Sequence, residues 1–266
     1  SFKVEPPKNN YEECLIESIK CHHNEIAHYF ENAYLFQDQN VESDSHKLKP
    51  ILYLLSKLSK YHRRSGIFFQ KIERILLNYK NQIKNFFSNS EIFKIFKGNK
   101  RILLFLIEEN IVYIDDDILA VMNSRKYKSA HYPEYFYTNI QKYLKEKNSK
   151  EFDEKKFQKF NENSLKKYDE NRKNGENASI LCNLIRQDLI DEFITYVKKK
   201  DVPLKSNIDH SIYETNAVLL RKKDVTLIEY AAFFGSIQIF KYLYKNGVEF
   251  TSELWLLAIH GDDEEM

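Results

Sequence analysis

Thr226-Leu227-Ile228-Glu229-Tyr230-Ala231-Ala232-Phe233-Phe234-Gly235, continued by Ser236-Ile237-Gln238-Ile239-Phe240-Lys241-Tyr242-Leu243-Tyr244-Lys245-Asn246-Gly247, is the stretch on which the fold turns. It reads as two short antiparallel helices. Thr226 offers a hydroxyl to the free backbone N–H groups of a first helix, the usual N-cap arrangement. Ala231 and Ala232 keep bulk off the face where a partner helix approaches. Gly235 supplies a tight turn, because a residue without Cβ takes a positive φ at no steric cost. Ile237, Phe240, Leu243 and Tyr244 recur at three- and four-residue spacing, the stripe of a half-buried second helix. Asn246-Gly247 ends that helix in a left-handed cap.

The whole chain leans the same way. Its 266 residues hold only six Gly and five Pro, too few for a turn-rich β-sandwich. Lys and Arg number 41 against 39 Asp and Glu, so the net charge of +2 creates no field calling for nucleic acid or an acidic membrane. Three cysteines, Cys14, Cys21 and Cys182, are too sparse for a disulfide framework and point to a reducing compartment. No apolar run approaches the roughly twenty residues that span a bilayer. Ser1 to Pro7 lacks the layout of a signal peptide, and a cytoplasmic location is expected.

Outward from the central stretch, helix pairs recur. Tyr11 to Asn32 reads as one, within a first helix-pair segment over residues 1–45. Leu48 to Ser65 and Ile67 to Phe87 each read as a single amphipathic helix. Asn99 to Asn110 restates the second helix of the central stretch, with Asn110 where Gly247 caps. Asp115-Asp116-Asp117 places negative charge at the start of the helix that follows. Residues 46–145 thus form a helical region, and 146–177 form a charged linker or a solvated helix. Ile180 to Lys200 is again a pair, and 205–224 is a connection long enough for an inserted finger. Trp255, Leu256 and Ala258 begin a further first helix without a second. The chain therefore reads as a window of a longer repeat polypeptide, or one whose ends pack on another chain.

Thr226, Ile228, Ala231, Ala232, Gly235, Ile239, Leu243 and Gly247 match a known pattern, T-P-L-H-x-A-A-x-x-G-H-x-x-I-V-x-x-L-L-x-x-G. The stretch resembles an ankyrin repeat, departing from it at Leu227, Glu229 and Ser236. The likeness is closest over 178–266 and looser over 99–110 and 11–32. It is similar to a divergent ankyrin family, with an associated domain of unknown function, that is expanded in unicellular parasites. The resemblance implies an all-α, ankyrin-like helix-pair solenoid with an irregular helical middle, whose last repeat, within 178–266, is incomplete. It also implies a non-enzymatic protein-interaction scaffold that holds a partner along its concave surface. Thr226, Ala231, Ala232, Gly235, Gly247 and Ala258 would shape the repeats.

Catalytic signals are thin. His23 and His28 look like a zincin pair, but five residues place them about 140° apart on a helix. Cys21, Glu25 and His28 share a face, and an exposed repeat turn is the better reading there. Asp115 to Asp117 lacks the spacing and Gly of a calcium loop. Cys182 sits in an apolar stripe and reads as core. No phosphate-cradling Gly cluster or nucleophile elbow occurs. No catalytic residue, metal or cofactor is therefore expected. Two basic-aromatic patches, 60–71 and 125–128, carry an alternative nucleic-acid reading. End-to-end assembly through the terminal repeats is a second alternative.

The expected contact residues are Phe233 and Phe234, with Glu229 and Trp255. In the ankyrin pattern the two Phe positions close the first helix on the concave side, where adjacent aromatics make a hot spot. The competing reading has the 205–224 connection folding over and burying them.

Overall fold

The computed structural model describes residues 45–61, 66–128, 130–149, 162–222, 224–249 and 254–258. The expected pair at Tyr11 to Asn32, the Cys21–His28 face, residues 62–65 of the 60–71 patch and the middle of 146–177 lie outside them. Within the described residues every regular element is a helix, and the one β-type pairing is an isolated antiparallel bridge, Asn207 to Thr226. The chain is all-α.

In chain order the helices are α1 Ser45–Tyr61, α2 Gly66–Asn78, α3 Lys80–Phe86, α4 Asn89–Phe96, α5 Lys100–Glu108, α6 Asp116–Met122, α7 Arg125–Lys128 and α8 Tyr132–Tyr135. They continue with α9 Tyr137–Glu146, α10 Glu162–Asn174, α11 Ile180–Arg186, α12 Ile190–Lys200, α13 Ala217–Arg221, α14 Leu227–Phe234, α15 Ile237–Lys245 and α16 Leu254–Ala258. The single helix expected over 67–87 is two, α2 and α3, interrupted at Tyr79. Asn78 and Asn81 flank the break, and short polar side chains that compete for backbone hydrogen bonds favour helix ends.

Two compact units form. Of the described residues, the first takes in those up to Tyr79, Ile180–Ile208 and those from Arg221 on. The second is Lys80–Ser179 with Asp209–Leu220, so the finger expected within 205–224 has its stems in one unit and its tip in the other.

In the first unit α1 packs on α2, and the helix pairs α11–α12 and α14–α15 stack: α11 lies on α14, α12 on α15, and α16 on the far side of α14. The stems of the finger pair across the start of α14, Ile208 N–H donating to the Val225 carbonyl at 2.8 Å and Leu227 N–H to that of Ser206 at 3.2 Å.

The second unit holds a related arrangement. Ser88 caps α4 in a reciprocal box with Glu91, as Thr226 and Glu229 do at α14. α4 packs on α5 and on α6, as α14 packs on α15 and α16. After α5 the chain turns through Asn110 at φ 55, with Ile111 N–H donating to the Leu106 carbonyl at 2.8 Å. After α15 it turns through Gly247 at φ 74, and Val248 N–H reaches the Leu243 carbonyl at 3.2 Å. Asn110 thus occupies the left-handed cap anticipated for it. Asp115 caps α6, its carboxylate accepting from Ile118 N–H at 2.8 Å.

The charged stretch read as linker or solvated helix contains α10, which is anchored by two buried side chains one turn apart. The Tyr168 hydroxyl donates to the carbonyls of Glu134 and Tyr135, both at 2.7 Å. Arg172 stacks its guanidinium 4.6 Å from the Tyr168 ring and donates to Asn139 Oδ1 at 2.7 Å. It also pairs with Asp169. Burial raises the Tyr168 hydroxyl well above the ordinary tyrosine range, so it stays a donor to those carbonyls.

Candidate interaction surface

Three of the four residues expected to meet a partner, Glu229, Phe233 and Phe234, lie on α14, and that helix is buried along its whole length. Thr226 caps it: Glu229 N–H donates to the Thr226 hydroxyl at 3.3 Å, and Thr226 N–H returns a bond to the Glu229 carboxylate at 3.0 Å. Ala231 and Ala232 are fully covered, and Gly235 turns the chain at φ 68. Gly247 follows α15 in a left-handed turn, and Ala258 lies on α16.

The expected contact residues are placed otherwise. Phe233 is 1% exposed and Phe234 9%, so the pair of open aromatics anticipated on the concave side is not there. Their rings meet edge to face at 5.0 Å, and Phe234 also packs on Tyr230 at 4.7 Å. The physical reason lies in the composition of the helix: apart from Glu229, whose carboxylate is satisfied internally, Leu, Ile, Tyr, Ala, Ala, Phe and Phe leave no polar face to turn outward, and such a helix belongs inside. Glu229 is likewise internal, at 0% exposure. Besides its cap, its carboxylate pairs with Lys222 Nζ at 3.0 Å, so it serves the fold and faces no partner. Trp255 lies on α16, and its side chain is outside the described residues.

Polar links cross the seam between the two stacked pairs of the first unit. Ser236 donates to the Ile185 carbonyl. Arg186 donates to the Tyr230 hydroxyl at 2.8 Å and holds its guanidinium 5.9 Å from the Phe234 ring. Asp188 accepts from Gln238 and Ile239 N–H, each at 3.0 Å. Buried Cys182, which the apolar stripe assigned to the core, sits on α11 of this stack.

What the first unit exposes lies elsewhere. Ile180, at the start of α11, is 62% exposed, and Tyr244, on α15, is 58% exposed. In the second unit Tyr113 projects from the turn before α6. Its backbone is pinned by the Asn89 side chain, which donates to the Tyr113 carbonyl at 2.8 Å and accepts from its N–H at 3.0 Å. Of the basic-aromatic segment 125–128, Tyr127 is buried edge-on against Tyr132 at 4.8 Å, leaving no ring face free for a base to stack on.

The second unit also carries an open cleft of ≈ 410 Å³, lined by Asp116, Leu119, Ala120 and Asn123 of the α6 region with Leu144, Lys147 and Ser149 at the end of α9. Lys147 bridges both Asp116 carboxylate oxygens, and Tyr143 donates to Asp116 at 2.9 Å. These bonds hold the Asp116 carboxyl below its ordinary range, the Lys147 contact contributing most. The same contact raises Lys147, while desolvation, then the neighbouring carboxylate, raises Tyr143. A carboxylate and an ammonium that neutralise each other leave neither poised for proton transfer. No sequence pattern joined residues 31 apart, so this cleft had no local signal.

Among the described residues no group of three or more His, Cys, Asp or Glu could hold a metal ion. No described helix is long and apolar enough to cross a membrane. Comparison with protein-family models, curated proteins and solved structures finds no match for this chain.

Proposed function

We propose that this chain is an ankyrin-like helix-pair solenoid with an irregular helical middle, acting in the cytosol as a non-enzymatic protein-interaction scaffold. The observation that carries the reading is the helix pair with one set of local devices used twice. Ser88/Glu91 and Thr226/Glu229 box the first helix, Asn110 and Gly247 cap the second, and another helix packs on the first in each case. A unit that cannot bury its apolar face alone gains by stacking on its neighbours, and such stacks present extended surfaces suited to holding other chains. Because α14 is buried, the contacts fall to the second helices and the helix starts, with Tyr244 and Ile180 as the exposed anchors.

The test is capture from native cell extract with the whole chain beside its Ile180→Ser/Tyr244→Ser variant, after circular dichroism has matched their folds. A protein bound by the parent and lost by the variant supports the scaffold reading at this surface. Capture of nothing by either bait, at concentrations where the parent chain also stays monomeric, refutes it.

A further inference from the structure

We infer that the Arg186-Gln187-Asp188 turn is a latch across the seam between the α11–α12 and α14–α15 pairs, and that α14–α15 can release from its neighbour as one body when the latch is broken. The inference does not depend on what the chain binds.

Asp188 occupies a left-handed turn at φ 51, equivalent to the one Gly235 makes at φ 68 between α14 and α15. A residue with a Cβ is disfavoured in that conformation, and Gly is the residue that avoids the penalty. Something must offset it at Asp188, and the carboxylate shows what. Its two oxygens accept from Gln238 and Ile239, two of the N–H groups that the first turn of α15 leaves without helical partners. Those amides lie 50 and 51 residues away, in the next helix pair.

A second helix of this kind would normally be capped from its own N-cap residue, but Ser236 makes no side-chain cap bond. Its hydroxyl points back across the seam to the Ile185 carbonyl. Arg186, two residues before Asp188, reaches Tyr230 on α14. One turn therefore holds both helices of the next pair, by a carboxylate on α15 and a guanidinium on α14. α15's start depends on another pair for its satisfaction, and that is how two helix pairs become one cooperative body rather than two stacked ones.

The test is native-state amide hydrogen exchange on the whole chain, comparing parent, Asp188→Asn and Arg186→Gln. Asn keeps the tolerance for the left-handed turn but offers one acceptor and no charge. Arg186→Gln leaves the α15 cap untouched and weakens only the α14 side. If the turn is a latch, amides of α14 and α15 exchange faster by a common factor of about ten in both variants, while α11 and α12 keep their parental rates. Acceleration confined to Gln238 and Ile239 in Asp188→Asn, with none in Arg186→Gln, makes Asp188 an ordinary cap and overturns the inference. Unchanged rates in Arg186→Gln overturn it even where Asp188→Asn does not fold. Asp188→Gly relieves the turn while removing the carboxylate. A latch requires the same loosening of α14–α15 in that variant.

Discussion

Replacing Phe233 with Ala removes a ring that is 1% exposed and meets Phe234 edge to face at 5.0 Å. Truncation of a buried Phe costs about 3–5 kcal/mol, the lost transfer free energy plus the cavity left behind. The forfeited ring pair alone accounts for about 0.5–1.5 kcal/mol beyond area. α14 sits between α11 and α16 with α15 alongside, so its neighbours are held by their own packing and the site collapses poorly. The upper half of the range applies, about 4 kcal/mol, a large share of the roughly 5–15 kcal/mol that holds a typical domain folded. In urea, followed by circular dichroism at 222 nm, the midpoint should fall by about 1.3–4 M at unchanged slope, for a slope of about 1–3 kcal/mol/M. Tyr244→Ala, at an exposed position of α15, is the control and should stay within about 0.5 kcal/mol. A loss below about 1 kcal/mol for Phe233→Ala would refute the burial argument and return Phe233 to the open face on which a partner-binding role depends.

The left-handed caps give a matched pair of predictions. A Cβ added at Gly247 meets nothing within 4 Å, so Gly247→Ala should cost only the conformational penalty of φ 74, about 1 kcal/mol by thermal melting. Asn110→Gly, at φ 55, should be stabilising by a few tenths, and a destabilisation would show that the Asn side chain has a further task. For the cleft, the Asp116 carboxyl is lowered in the folded chain, so its pairing contributes above the unfolded carboxylate range and is lost as pH falls through the lowered value. An NMR titration should find the Asp116 midpoint returning upward in Lys147→Met, and an unmoved midpoint would dismiss the pairing.

How far the fold could be read in advance depended on how local the cause was. The Thr226 hydroxyl satisfies groups within a single turn, so the helix start was visible in the letters, although Glu229, the other half of the box three residues on, was expected as a contact residue instead. Asn110 and the Asp115 cap were legible for the same reason. The companion box at Ser88 and Glu91 is equally local, and the T-x-x-E spacing of the central stretch, searched as S/T-x-x-E, would have found it. What stayed hidden was decided at a distance. Asp188 finds its partners 50 residues on, Lys147 meets Asp116 across 31, and Arg172 is buried by contacts with the 134–139 segment inside a stretch whose composition looks solvated. Charge counts say nothing of that, because one arginine stacked on a tyrosine anchors a polar helix as well as a leucine does.

Phe233 and Phe234 show a different failure, one of weighting. Position within the ankyrin pattern argued for exposure, while the apolar circumference of Leu227–Phe234 argued for burial, and the second is the stronger physical statement. The same test applies to the related pair. Counting from the N-caps, Ile95 and Phe96 stand where Phe233 and Phe234 do, and they too are buried. Both first helices therefore spend these positions on the interior of their own units. Under the proposed scaffold reading, a partner would be met by side chains that the pattern leaves unspecified, on second helices such as α15 and on turns such as the one that carries Tyr113. On that reading such positions can vary without disturbing the caps, the alanines or the boxed acids, so the motif that marks a helix pair says little about what the pair would contact.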